Sequence, residues 1–144
     1  MSKRLVYFIH PPVTYNSRTE REVKEMIKYR LGKDIKIISP SRMSSKRIRR
    51  WKEDVQESFA VVGMALENKY TISVWTLLEY AEKQKKLVYT VRVDEGGHIW
   101  KEGIEKDVEK LSLEESRDFT SDITLGSTKD LFRNLFWFGG GSKY

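Results

Sequence analysis

The residue whose setting most favours chemistry is Glu79, one acidic side chain in the run Ser73-Val74-Trp75-Thr76-Leu77-Leu78-Glu79-Tyr80-Ala81, just after an apolar segment that reads as a buried strand. A carboxylate among apolar neighbours can take or give a proton, stabilise developing positive charge, or act as a nucleophile. The bland alternative is a surface ion pair with Lys83, four residues on. His10 and Ser39 fall at the ends of the first two expected strands, the edge where open α/β sheets bind ligands, and Ser39 is a candidate phosphate or sugar contact. Other chemistries are excluded by composition. The chain has no cysteine, which removes thiolate nucleophiles, disulfides and cysteine-held metals. Its two histidines, His10 and His98, are far apart, so neither a metal site nor a cofactor is expected.

The elements that must position these residues alternate. Leu5-Val6-Tyr7-Phe8-Ile9 reads as a strand, stopped by His10-Pro11-Pro12. Ser17-Arg18-Thr19-Glu20 fits a capping box, with Val23, Met26, Ile27 and Leu31 as the apolar stripe of a helix and Gly32 as its stop. Ile35-Lys36-Ile37-Ile38 is a second strand ending at Ser39-Pro40. A helix over 44–57, a strand over 59–66, a helix over 73–85 capped by Ser73, and a strand over 87–93 follow. Val74, Leu77, Leu78 and Ala81 give the helix at 73–85 its buried stripe, and Glu79 directly follows that stripe. Asp94-Glu95-Gly96-Gly97 is a turn signal. Beyond it a surface helix is read over 103–113, a fifth strand over 122–125, and a last helix with Leu131, Phe132, Leu135 and Phe136 on its apolar face. Repeated β-α units call for an α/β fold: a doubly wound, mainly parallel sheet in the order 2-1-3-4-5 with helices on both faces.

Size and charge set the outer bounds. At 17.0 kDa the chain reads as one domain over 1–138, with a flexible tail at 139–144. No apolar run is long enough to cross a bilayer, the first apolar stretch is too short for a signal peptide, and a cytoplasmic location is expected without membrane contact. The absence of cysteine beside abundant Lys, Arg and Glu suits work at high temperature. The net charge of +6 is uneven, since residues 1–50 hold 14 basic against 4 acidic side chains. The densest stretch lies within 42–52, where Arg47, Arg49 and Arg50 flank an apolar face of Ile48, Trp51 and Val55. It reads as an amphipathic helix with a solvated basic side, or as a nucleic-acid contact. The aromatic end of the last helix, Trp137-Phe138, closes the core or forms a homodimer contact.

Two motifs carry a family resemblance. Ser73-x-Trp75-x-x-x-Glu79 after an apolar strand resembles the glutamate segment of TIR domains, with Thr76 in place of the usual cysteine. A longer stretch is similar to nucleoside 2-deoxyribosyltransferases: Tyr7-Phe8 on the first strand, a proline-containing loop, Ser39-Pro40, Ala65-Leu66-Glu67-Asn68 at a strand end, and Glu79-x-Ala81 before Lys86-Leu87-Val88. Both families share a flavodoxin-like core. The resemblance covers roughly residues 5–93. It implies a nucleoside, nucleotide or NAD-like ligand, with Glu79 attacking the anomeric carbon, Glu67 handling the base and Tyr7 orienting the nucleophile. Trp75 stands where the transferases carry glycine, and either lines an altered pocket or blocks it. Ser73 stands where they often carry an acid.

Two functions therefore remain from the sequence. The first is cleavage or transfer at an N-glycosidic bond through Glu79, where a carboxylate meets the positive charge that develops on the sugar. The second is a non-catalytic protein whose basic first third contacts nucleic acid or an acidic partner.

Overall fold

A computed structural model describes the backbone of residues 3–124 and the side chains of 3–121. Strand β1 (Arg4–Ile9) lies between β2 (Ile35–Ile38) and β3 (Ala60–Leu66), parallel to both. All seven residues of β3 are buried, as a strand covered on both faces must be. On its other side β3 pairs in parallel with β5 (Leu87–Asp94), and β6 (Gly97–Glu102) closes the sheet antiparallel to β5. Two short strands, β4 (Lys69–Tyr70) and β7 (Glu109–Lys110), extend the carboxyl end of β3.

Helices cover both faces. On one face α1 (Arg18–Leu31) packs Val23 and Ile27 against Val6, Phe8, Val62 and Met64. On the other, α3 (Trp51–Glu57) and α4 (Ile72–Lys83) pack Val55, Val74, Leu77 and Leu78 against Tyr7, Ile9, Val61 and Ala65. Because side chains alternate along a strand, Val6 and Phe8 go one way and Tyr7 and Ile9 the other. The mixed α/β architecture with a mainly parallel sheet is the doubly wound fold that the β-α alternation implies.

Several local expectations are corrected. The helix expected over 44–57 is two: α2 (Ser45–Ile48), capped by the Ser44 hydroxyl accepting from the Arg47 amide, and then α3, with Arg50 in a non-helical conformation between them. The capping box at Ser17 is half formed. The Ser17 hydroxyl accepts from the Glu20 amide at 3.1 Å, but Glu20 accepts from the Asn16 amide at 2.5 Å, because the Ser17 amide is already bonded to the Thr14 carbonyl. Helix α4 begins at Ile72, so its N-cap is Thr71 rather than Ser73. No helix spans 103–113; Gly103 takes φ 79°, and the chain instead runs through a loop into β7. Residues 122–124 of the stretch read as a fifth strand are the end of helix α5 (Leu113–Thr124), Leu125 lies outside the described residues, and the fifth sheet position belongs to β6. The turn at Asp94 to Gly97 is a two-residue hairpin that returns the chain directly, so no crossover helix intervenes. The expected helix with Leu131 and Phe136, the Trp137-Phe138 contact and the tail at 139–144 lie outside the described residues. Among the described residues no helix is long and apolar enough to cross a membrane.

Gly63, at the centre of β3, permits a close approach of the α4 side chain Leu78 to the sheet. A Cβ there would lie 2.6 Å from Leu78 Cδ1 and 3.0 Å from its Cγ. Leu78 is fully buried, so the clash falls on a packed core side chain. Gly63→Ala is therefore expected to destabilise the fold by about 1–3 kcal/mol in urea unfolding, with part of the loss recovered in Gly63→Ala/Leu78→Val. Equal losses in the single and double variants would contradict the contact.

Candidate functional site

A cleft of about 300 Å³ opens at the carboxyl edge of the sheet, on the face carrying α3 and α4. Its lining includes Tyr7, Tyr15, Trp51, Ser73 and Thr76, among aliphatic and proline side chains. Tyr7 comes from β1, and the loops after β1 and β2 bring Tyr15 and Pro40. Trp51 comes from the first turn of α3, packed edge-on to Tyr80 at 5.2 Å between ring centroids. The first turns of α4 supply Ser73 and Thr76.

The Tyr7 hydroxyl is buried with no hydrogen-bond partner among the described residues. Burial pushes its pKa up, and the nearby charge of Asp54 and the Tyr15 phenol push the same way, against Arg47. Asp54 itself is buried and is gripped by Arg47 through Nε to Oδ2 at 3.1 Å and Nη2 to Oδ1 at 2.7 Å. Tyr15 is also pushed up, to about 12, by burial and by Glu20. The site thus offers aromatic walls and hydroxyls, with the Asp54–Arg47 pair outside the lining and acting on the Tyr7 phenol by charge.

The sequence-derived candidates divide among four places. Tyr7 and Ser73 line the cleft. His10 and Ser39 are buried on the α1 side, because His10 shares the parity of Val6 and Phe8 and stacks on Phe8 at 4.4 Å. Glu67 occupies the tight turn between β3 and β4, where it and Asn68 both take positive φ, 50° and 63°. Its carboxyl is raised by burial, with Lys69 opposing and Glu95 and Asp94 adding to the rise. Trp75 and Glu79 lie on the flank of α4 turned toward β7. There the Trp75 indole donates to the Leu111 carbonyl at 2.7 Å, and Glu79 pairs with Lys110. Trp75 therefore neither lines nor blocks the cleft.

Glu79 is displaced for a geometric reason. At about 100° per residue, Val74, Leu77, Leu78 and Ala81 centre on the sheet-facing side of α4, and Glu79 points nearly opposite. The expectation that it looks along the carboxyl edge is corrected by this helical register. Lys83 is not its partner either. Of the basic run, Arg47 is occupied by Asp54 and Arg50 by Glu53 at 2.6 Å, which reduces the charge available to a polyanion. Asp54, Tyr15 and Thr76 were missed by reasoning from sequence. The spacing from Arg47 to Asp54 was a readable signal for the first; nothing local marked the other two.

On the α1 side the hydrogen bonds define a neutral imidazole. Thr14 donates to the Pro11 carbonyl at 2.6 Å, so His10 Nδ1–H donates to Thr14 at 2.6 Å. His10 Nε2 is then the acceptor for Ser39 at 2.9 Å, while Ser41 donates to Glu20 at 2.6 Å. Burial raises the Glu20 carboxyl, but bonds from Lys24 and Ser41, with His10 and Asn16 adding, bring it below its usual value. His10 Nε2 is 4.0 Å from Glu20.

No family profile and no curated protein sequence matches this chain. The architecture is nevertheless shared with solved structures of the flavodoxin-like α/β class. One of these is a 2-desoxiribosyltransferase from Leishmania mexicana, 14% identical, aligned over 82% of this chain and 97% of that one with a TM-score of 0.51. At that identity the likeness establishes the fold.

Burial pulls the His10 pKa from 6.5 down to about 4, with Glu20 opposing and Lys24 assisting. Between those values the unfolded chain binds the proton and the folded chain does not. Stability present above pH 6.5 is therefore lost as pH falls toward 4, by up to about 3 kcal/mol from this group. Urea unfolding at pH 7 and pH 5 should show a smaller acid loss in His10→Gln than in the wild type. Parallel losses would remove His10 as the cause.

Proposed function

We propose that the protein binds a nucleoside or nucleotide in the Tyr7 cleft and acts at its N-glycosidic bond. The observation that carries this reading is an aromatic-walled cleft at the carboxyl edge of a doubly wound sheet, with a buried hydroxyl in its lining that has no partner among the described residues. Trp51 and Tyr15 suit a planar base, and Tyr7, Ser73 and Thr76 suit the hydroxyls of a sugar. The fold shared with the Leishmania 2-desoxiribosyltransferase supports the same ligand class.

The glycosidic step needs a carboxylate beside the sugar. Glu79 has the position implied by the sequence resemblance, but using it requires release from Lys110 and passage around α4. Asp54 is itself held by Arg47 and stands outside the cleft lining, but it lies on the cleft's side of the sheet, where its charge acts on the Tyr7 hydroxyl. We therefore assign the carboxylate role to Asp54 and leave Glu79 as its competitor. Glu67 sits in the β3–β4 turn, has no charge effect on the Tyr7 hydroxyl, and is given no part in the step.

The test is incubation of the protein with deoxyribonucleosides, ribonucleosides, nucleotides and NAD, with free base followed by chromatography and affinity by calorimetry. Trp51→Ala should weaken binding by about tenfold or more. Base release should vanish in Asp54→Asn and persist in Glu79→Gln, with folding of each variant checked by circular dichroism. Loss in Glu79→Gln alone would return the role to Glu79. Binding without base release by the wild type would end the glycosidic half of the reading.

A further inference from the structure

Beyond Ser73 the cleft continues into a second groove, of about 480 Å³, between the start of α4 and helix α5. The two spaces share Pro12, Ile72 and Ser73. The groove is built on the N-terminus of a twelve-residue helix with no acidic side chain in its first turn. Helix α5 is fastened there by the Ile72 amide, which donates to the Ser116 hydroxyl at 2.9 Å. The amides of Val74 and Trp75 are bonded to the Thr71 carbonyl at 3.0 and 3.1 Å, while that of Ser73 has no partner among the described residues.

Thr71 provides an independent sign. As the N-cap of α4 its hydroxyl would ordinarily accept from an amide of the first turn, yet it makes no such bond. It is only 3% exposed, it lines the groove, and its hydroxyl has no partner among the described residues. A buried polar atom left without a partner on the wall of a groove points to a ligand that supplies one. Around it stand the Ser73 and Thr120 hydroxyls and Arg117, which forms no ion pair among the described residues. An open amide at a helix N-terminus, several hydroxyls and one guanidinium match the charge and many acceptor oxygens of a phosphate.

We propose that this groove holds the phosphate of a nucleoside monophosphate whose base lies in the Tyr7 cleft. The inference rests on the nucleoside reading above and narrows it, making the phosphorylated form the preferred ligand. Thr71 and the Ser73 amide are the fixed donors, and Arg117 supplies the counter-charge from α5.

Calorimetric titration with deoxyadenosine, deoxycytidine and their 5′-monophosphates tests it. The wild type should bind the better monophosphate about tenfold or more tightly than its nucleoside. That gap should close in Arg117→Ala and in Thr71→Val, with nucleoside affinity unchanged in both. Equal affinity for nucleoside and monophosphate in the wild type, or a gap that survives in the double variant, overturns the proposal. If the wild type binds neither, the base cleft reading has failed, and NMR titration with inorganic phosphate decides the groove alone. A shift of the Ser73 amide that is lost in Arg117→Ala supports the groove; an unmoved Ser73 amide overturns it.

Discussion

The parity of β1 governs how this molecule distributes its polar groups. A strand covered by helices on both sides must send successive side chains to opposite layers, so Tyr7 and His10, three residues apart, enter different cores. On the α1 side the imidazole is saturated by Thr14 and Ser39. On the α3 and α4 side the phenol has no partner among the described residues and stands beside an open cleft. One layer is thus closed by hydrogen bonds while the other keeps a donor available.

The carboxylates follow a related rule. Glu20, Asp54 and Glu79 each meet a cation: Lys24, Arg47 and Lys110 respectively. Their worth differs with burial. Glu79 and Lys110 are both partly exposed, so the pair is screened and adds little to stability. Asp54 and Glu20 are buried; removing Arg47 would leave the Asp54 charge out of water without its cation, whereas Glu20 would keep the bonds from Ser41 and the Asn16 amide. Charge pairing near the cleft therefore fixes geometry at Asp54 far more firmly than at Glu79.

The first half of the fold was legible because its apolar runs are long and its breaks are marked by Pro, Gly and capping serines. The first strand and helix, the buried run of β3 and the stripe of α4 all follow from local pattern. The second half was not, since its edge strand β6 is charged and only partly buried and carries no continuous apolar signal. The site was less legible still. Glu79 is next to the buried stripe along the chain, but at about 100° per residue it falls nearly opposite the stripe's centre, so adjacency in sequence was a misleading guide to direction. Moving the start of α4 from Ser73 to Ile72 also left Thr71, a residue with no motif of its own, at the cap.

The β5–β6 hairpin has a consequence for the order in which the chain assembles. Every parallel pair in the sheet joins strands separated by a helix, so each must close a long loop before any rung forms. The hairpin builds its six paired positions from a two-residue turn, whose Asp94 carboxylate already accepts from the Gly96 amide at 2.8 Å. It is the extended ladder with the least entropy to lose, and such ladders form in microseconds in isolated hairpins. The piece that sequence made hardest to read is thereby the piece whose formation depends least on the rest of the chain, and β3 can dock onto a template already in place.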